Sequence, residues 1–266
     1  MVGSKKAWIS SIVMVGGVLL FFYLPILILM IFSFNDSRSL TSWAGFSLRW
    51  YEELFSSRDV ASAVGTTLIV AVISTLVSTF VGTLTAIGLS KSKKIVKDVV
   101  NSLNNLPILN PEIVTAIGLM LLFSALNVPR GYITLLLAHI SFSIPYVILT
   151  ILPKLRSLDP NLAEAAMDLG ATPWQALVKV IVPQITPGIL SGALIAFTMS
   201  FDDFVISYFV TGGGVKNISI LVYTMSRRIN PSINALSTLM VLVITVVLIV
   251  INVIPMLSKK ERMPIE

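Results

Sequence analysis

The sequence predicts an all-α integral membrane protein with six transmembrane helices. Three observations lead there. The 266 residues are 55% hydrophobic and only 12% charged, with a mean hydropathy of +0.91, whereas soluble domains carry roughly a quarter charged residues. Six segments are apolar over the length needed to cross a hydrocarbon core, about 20 residues of helix. Every Lys and Arg falls outside those segments.

The first span is placed at Trp8 to Phe34, after Lys5 and Lys6. It is about twice too long for a signal-peptide apolar region and lacks a small-residue cleavage site, so it reads as an uncleaved anchor. The loop from Asn35 to Val60 carries Trp43, Trp50 and Tyr51, amphipathic aromatics expected at the headgroup level. Span two, Ala61 to Ser90, has Ser74, Ser78, Gly82 and Ala86 at fourfold spacing, a seam that lets another helix approach closely. Span three, Val99 to Leu126, contains Pro107 and Pro111, which remove backbone donors and kink or break it. Span four is Tyr132 to Leu152. Span five, Gly188 to Thr211, opens on a second seam, Gly188 and Gly192. Ile218 to Arg228 is expected as a short amphipathic surface helix, and span six is Asn234 to Leu257. No soluble stretch is large enough to stand alone, so residues 1–266 are expected to form one transmembrane domain.

Orientation follows from the basic residues. With both termini cytoplasmic, twelve of the 19 lie inside: Lys5, Lys6, Lys91, Lys93, Lys94, Lys97, Lys154, Arg156, Lys179, Lys259, Lys260 and Arg262. Arg38, Arg49, Arg58, Arg130, Lys216, Arg227 and Arg228 lie outside. The compact clusters KSKK and SKKER favour this orientation, because short loops dominate the positive-inside rule. The net charge of +6 is therefore matched to a membrane surface and its lipid, not to nucleic acid, which would call for one basic face. Zero cysteines and a single histidine exclude disulfides and thiolate metal sites and leave no expected metal or cofactor.

Between spans four and five lies DPNLAEAAMDLGATPWQALVKVIVP, Asp159 to Pro183. Asp159-Pro160 is a helix start, Gly170 a stop able to adopt the left-handed conformation, and Thr172-Pro173 a second start, with Pro183 limiting the second helix. Ala163, Ala166, Met167 and Gly170 share one face, small side chains plus a flexible thioether that suit docking against another surface. Glu164 and Asp168 sit one turn apart on a neighbouring face, where like charges repel unless a basic partner is near.

Glu164-Ala165-Ala166, then Gly170, then Val180-x-Val182-Pro183 resembles the EAA loop of ABC-importer permeases: EAA, three residues, G, nine residues, I-x-L-P. Only Val180 and Val182 depart from the pattern, both conservatively. The resemblance implies the type I ABC importer permease fold, with this hairpin as the cytoplasmic coupling helix that docks on the ATP-hydrolysing subunit through Glu164, Ala165, Ala166, Asp168 and Gly170. The chain holds no G-x-x-x-x-G-K-[ST] phosphate loop, so ATP and its Mg are expected on a partner and this subunit is expected not to be an enzyme.

Three acids fall deep in the spans: Glu112, Asp202 and Asp203. At 1.5 Å per residue a continuous span three would carry Glu112 roughly 20 Å from its inner end, and a continuous span five would carry Asp203 roughly 22 Å, the same level. An intramembrane Asp costs on the order of 3 kcal/mol, so such residues face a water-filled path or a partner. No span contains Lys or Arg, which leaves a cationic substrate as the counter-charge. The stripe Gly192, Ala196, Ser200, Ser207 and Thr211 continues through Asp203, so Asp203 is expected to face the pathway more directly than Asp202. Ser200 and Ser207 flank it there.

SFDDF with the following VTG, YLPILILMIFSFN and HISFSIPY resemble the permeases of spermidine/putrescine ABC importers, the second of the two paired subunits. That resemblance implies a bacterial inner-membrane location, a homologous permease partner, two ATP-binding subunits and an extracellular or periplasmic polyamine-binding protein. Permeases for iron or opines carry related sequences and form the nearest alternative. A secondary transporter or cation channel would also use acids and broken helices, but neither needs a docking hairpin. His139 and Ser143, one turn apart in span four, lack the oriented base and oxyanion hole of a hydrolase. His139 reads as a buried histidine bonding across helices.

Overall fold

A computed structural model describes residues 5–39, 42–227 and 230–260. The described residues form helices and one isolated antiparallel bridge, Asn35 to Phe46. Arg228 and Arg262 lie outside them. In order the helices are α1 Lys5–Phe32, α2 Arg49–Ser56, α3 Arg58–Lys91, α4 Lys94–Leu109, α5 Glu112–Ala125, α6 Tyr132–Arg156, α7 Leu162–Asp168, α8 Pro173–Ala176, α9 Val182–Asp202, α10 Val205–Val210, α11 Ile218–Arg227 and α12 Ser232–Lys260. A π turn, Leu177–Ile181, joins α8 to α9.

Among the described residues, four helical runs are long and apolar enough to cross a membrane: Ser11–Phe32, Arg58–Lys91, Tyr132–Arg156 and Pro173–Asp202. The pair α4 and α5, bent by 106°, makes a fifth if it is one span, and Ser232–Val246 is a shorter apolar helix. Span three is therefore not the straight rod that would put Glu112 part-way along it. Pro111 forces Asn110 out of the helical region, to φ −77° and ψ 144°, because a proline ring clashes with a helical residue before it. Pro107, by contrast, is absorbed within α4.

Span five is broken as well, after Asp202, with Asp203 extended at φ −59° and ψ 126°. At its other end it begins early: α8, the π turn and α9 run on as one helical course from Pro173. Pro183 thus does not end the second hairpin helix. It comes just after the π turn, inside the continuous helical course.

The chain divides into two compact units, one drawn from residues up to Val60 with those from Val222 onward, the other Ala61–Leu221. In the first unit, the loop after α1 is organised by Asn35. Its side chain donates to Ser42 O at 2.7 Å and accepts from Ala44 N at 2.8 Å, and its carbonyl accepts from Trp50 Nε1 at 2.6 Å. Trp50 is 2% exposed. Trp50 is consumed as the loop's own core, while Trp43 is exposed.

The second unit is built around α6, which packs along α9 and beside α4 and α10. Both seams predicted from small residues meet it. A Cβ on Gly82 of α3 would lie 2.7 Å from Val147 Cγ1, and one on Gly192 of α9 would lie 2.6 Å from Thr150 Oγ1 and 3.2 Å from Val147 Cα. Ser74, Ser78 and Ala86 are fully buried along the same α3 edge. Two clusters fill the layers. Val70, Phe123, Leu135, Phe142 and Ile206 form one, and Leu89, Val147, Ile148, Ile151 and Ile185 the other.

Overpacking of this kind costs about 1–3 kcal/mol. Gly82→Ala is accordingly expected to lower the detergent-solubilised melting temperature, and Val147→Ala in the same chain to recover part of the loss. Gly88→Ala, where no atom lies within 4 Å, should be neutral. Equal melting curves for Gly82→Ala and Gly88→Ala would refute the seam.

α11 forms as expected but is less of a surface helix than its pattern suggests. Ile218, Ile220, Leu221 and Met225 are buried, since the helix start is tied down. Ile218 N donates to Thr67 Oγ1 at 2.8 Å, and Asn217 Oδ1 accepts from Ile220 N at 2.9 Å as a local cap.

Candidate functional site

The break in span five is held open by its own acid. Once Asp203 leaves the helical path, its carboxylate receives the free amides that open α10: Ile206 N at 3.3 Å on Oδ1 and Ser207 N at 2.7 Å on Oδ2. This is the work of a helix cap, satisfying donors that have no intrahelical partner. Ser207 Oγ donates to Oδ2 at 2.6 Å, and Asn217 Nδ2 lies 2.9 Å from both the Asp203 carbonyl and Ser207 Oγ.

His139 of α6 adds a partner from a second helix. Its Nε2 is 3.4 Å from Asp203 Oδ2 and 3.0 Å from Ser207 Oγ, while Nδ1 is 2.6 Å from Ser200 Oγ. Ser200 Oγ in turn accepts from Ser74 Oγ of α3 at 3.0 Å. His139 and Asp203 are 1% and 5% exposed. The histidine does bond across helices, to Ser200, Ser207 and Asp203, and not to Ser143. Asp203, which no Lys or Arg of the spans could meet, is contacted instead by the histidine one helix away.

Within this subunit Asp203 is buried beside Glu112 and Asp202 is exposed. Gly192, Ala196 and Ser200 form one face of α9, but that face is buried. Gly192 lies against α6, and Ser200 is bonded to Ser74 and His139. Asp203 leaves the helical path and turns inward, whereas Asp202, the last residue of α9, is exposed. Ser207 is inward as well, buried completely.

Glu112 is the first residue of α5 and exposed. It lines a cavity of about 270 Å³ with Asn110, Thr115, Phe142, Tyr146 and Met199 among others. It lies within electrostatic reach of Asp203 and Asp202, so the two broken spans bring the three acids together. Among the described residues only Asp203 of the three has a basic side chain within 4 Å, the imidazole of His139, and neither Glu112 nor Asp202 has a basic partner. Sequence reasoning missed Asn217, Ser74 and the aromatic wall of Phe142 and Tyr146. For Asn217 a signal existed: an Asn directly before an apolar run is a cap pattern.

The polar hairpin keeps most of its predicted punctuation. Gly170 has φ +90°, and Ala171 N to Ala166 O at 3.1 Å with Gly170 N to Met167 O at 2.9 Å is the paired closure of a left-handed helix stop. Thr172 and Gln175 cap each other reciprocally. The first helix starts later than expected, at Leu162, with the Asp159 carboxylate accepting from Asn161 N at 2.9 Å in the preceding turn.

The small-residue face read from the sequence is outward in part: Met167 and Gly170 are exposed, Ala163 and Ala166 half-buried. Ala163 and Met167 line a cavity of about 590 Å³ behind the hairpin, with Lys91, Arg156 and Leu177. Facing out are Glu164, Ala165, Asp168 and Gly170, with two large apolar side chains the motif did not single out: Leu169 at 90% exposure and Trp174 at 69%.

These features can be set beside known proteins. The chain is 39% identical over 245 residues to the putrescine transport system permease protein PotI of Escherichia coli K12, covering 89% of this chain and 86% of that one. It is 37% identical over 223 residues to the spermidine/putrescine transport system permease protein PotC of Haemophilus influenzae, covering 84% and 87%. Its fold is similar to that of a bacterial ABC transporter involved in the import of the acidic polysaccharide alginate, with TM-score 0.68, 18% identity and coverage of 93% and 94%. An amino acid ABC transporter gives TM-score 0.55 at 21% identity, covering 80% and 94%. Residues 78–260 match the family of binding-protein-dependent transport system inner membrane components, and the chain belongs to that family.

Proposed function

We propose that the chain is a permease subunit of an ATP-driven importer of polyamines, which carries a spermidine- or putrescine-like cation across the inner membrane by alternating access. One observation carries the substrate class: where two spans break at a common level, three carboxylates meet and only Asp203 has a basic partner. A multivalent ammonium ion supplies the charge that Glu112 and Asp202 lack. The names of the relatives, both polyamine permeases, support the same reading.

In this proposal α1, α3, the α4/α5 pair, α6, the α9/α10 pair and α12 are the six spans of one permease domain with both termini cytoplasmic. A homologous permease completes the pathway, and an external polyamine-binding protein delivers the substrate. Two ATPase subunits bind ATP and Mg, while this chain needs no cofactor of its own. Glu112 and Asp202 contact the substrate, with Ser200, Ser207 and Asp203 behind them. Glu164, Ala165, Ala166, Asp168 and Gly170 form the coupling surface, to which Leu169 and Trp174 add apolar anchors. Coupling is a two-state preference: the hairpin must bind the closed and open ATPase pairs with different affinity.

The test is uptake by the assembled complex in proteoliposomes. Labelled putrescine uptake should require ATP and be competed by spermidine but not by an iron chelate or an opine. ATP-independent uptake, or competition by the chelate, would defeat the reading.

A further inference from the structure

We infer that His139 is a positioning residue for transport: it splints the break between α9 and α10 and keeps the Asp203 carboxylate turned inward, so that Asp202 meets the substrate. The inference rests on the polyamine reading above and adds a residue that the reading does not use.

The geometry is that of a bridge across a cut. Ser200 belongs to the last turn of α9 and Ser207 to α10. One imidazole touches both, Nδ1 to Ser200 Oγ at 2.6 Å and Nε2 to Ser207 Oγ at 3.0 Å. Across the break no helical hydrogen bond can hold the two halves at a set angle, so side chains must. The splint is itself braced, because α6 is pinned to the far end of α10 by Thr134 Oγ1 donating to Val210 O at 2.7 Å, and Ser74 backs Ser200 from α3.

One set of bond directions satisfies the site with a neutral imidazole: Ser74 Oγ, shared between Ala71 O and Ser200, donates to Ser200, Ser200 to Nδ1, and Nε2 to Ser207 Oγ and Asp203 Oδ2. The hydroxyl of Ser207 then donates to Asp203. Asp203 so collects donors from α6 and α10 at once and has every reason to stay inside. Asp202, one residue earlier, takes part in none of this through its carboxylate; its carbonyl accepts from Ser219 Oγ at 3.1 Å. An apolar residue in place of His139 would leave Ser200 and Asp203 short of partners in a dry site, where an unmade hydrogen bond is costly. The break would relax and Asp203 would turn toward the substrate cavity.

The experiment uses the complete importer in proteoliposomes, with ATPase copurification as the assembly check and KM and maximal rate of putrescine uptake as readouts. His139→Leu should assemble and raise KM about tenfold with the maximal rate within about twofold, the loss of one well-placed contact. His139→Gln, whose amide can donate from the Nε2 position, should stay within about threefold of wild type, and His139→Asn, which reaches only the Ser200 side, should resemble His139→Leu. Adding Asp203→Asn to His139→Leu should make KM no worse than the poorer single variant, because the two residues act as one unit. Additive losses, a wild-type KM for His139→Asn, or a His139→Gln variant no better than His139→Asn would overturn the inference. If His139→Leu does not assemble, the contrast between Gln and Asn decides alone. Failure of the wild-type complex to transport putrescine would fault the polyamine reading instead.

Discussion

Replacing Glu112 by Gln or Asp202 by Asn is expected to raise the KM for polyamine uptake by ten- to a hundredfold, and the double replacement to abolish uptake at physiological concentration. A hydrogen bond to a charged group contributes about 1.5–3 kcal/mol, and about 1.4 kcal/mol corresponds to tenfold in affinity. Both side chains are exposed within this subunit, so the amide variants should insert and recruit their ATPase normally. The effect should therefore fall on transport and not on assembly. Uptake titrations at matched expression check this, with copurified ATPase as control. Wild-type KM in both single variants would remove these acids from the substrate path.

The hairpin makes the second large prediction. Gly170→Val should leave insertion intact and eliminate ATP-driven uptake, while Gly170→Asn should retain most of it. Space is not the issue, since no atom lies within 4 Å of a Cβ there. The backbone is: at φ +90° a β-branched residue costs roughly 1–2 kcal/mol, whereas Asn tolerates the left-handed region. A two-helix hairpin has little stability with which to meet that cost, so the turn would open and its outward face disperse. Glu164→Lys should uncouple as well, by reversing the charge on that face.

Trp174→Ala tests the apolar anchors. A large aromatic left 69% exposed on a polar hairpin fits the residue type that dominates protein interfaces, where truncation costs about 2 kcal/mol or more. Copurification of the ATPase should drop by more than tenfold in titration, and Leu169→Ala should weaken it further. Full ATPase association by the double variant would mean that the hairpin docks through another face.

Much of the architecture was legible from composition and pattern, because lipid forces regularity. A backbone in hydrocarbon must satisfy its own hydrogen bonds, so apolar runs of sufficient length become helices, and α1, α3 and α6 begin and end close to where hydropathy places them. The Gly170 stop and the Thr172 start were equally readable, since they depend on local conformation alone. The small-residue seams at Gly82 and Gly192 could be read for the same kind of reason: a missing side chain is visible in sequence, and close approach is what it permits.

Composition and pattern thus establish the class of protein, the positions of its helices and the presence of three acids and one histidine where lipid tolerates few. Which acid is spent internally follows from the packing of the folded chain. Asp202 and Asp203 are neighbours of identical chemistry, and a helical projection assumes the rod continues through them. The rod stops at Asp202, and His139, more than sixty residues away in sequence, reaches the carboxylate that caps the next helix. The same limit applied to the hairpin, where Ala163 is half-buried beside a cavity while Leu169 and Trp174 are exposed. Local pattern specifies which faces a helix has; which face is covered depends on what the rest of the chain brings against it.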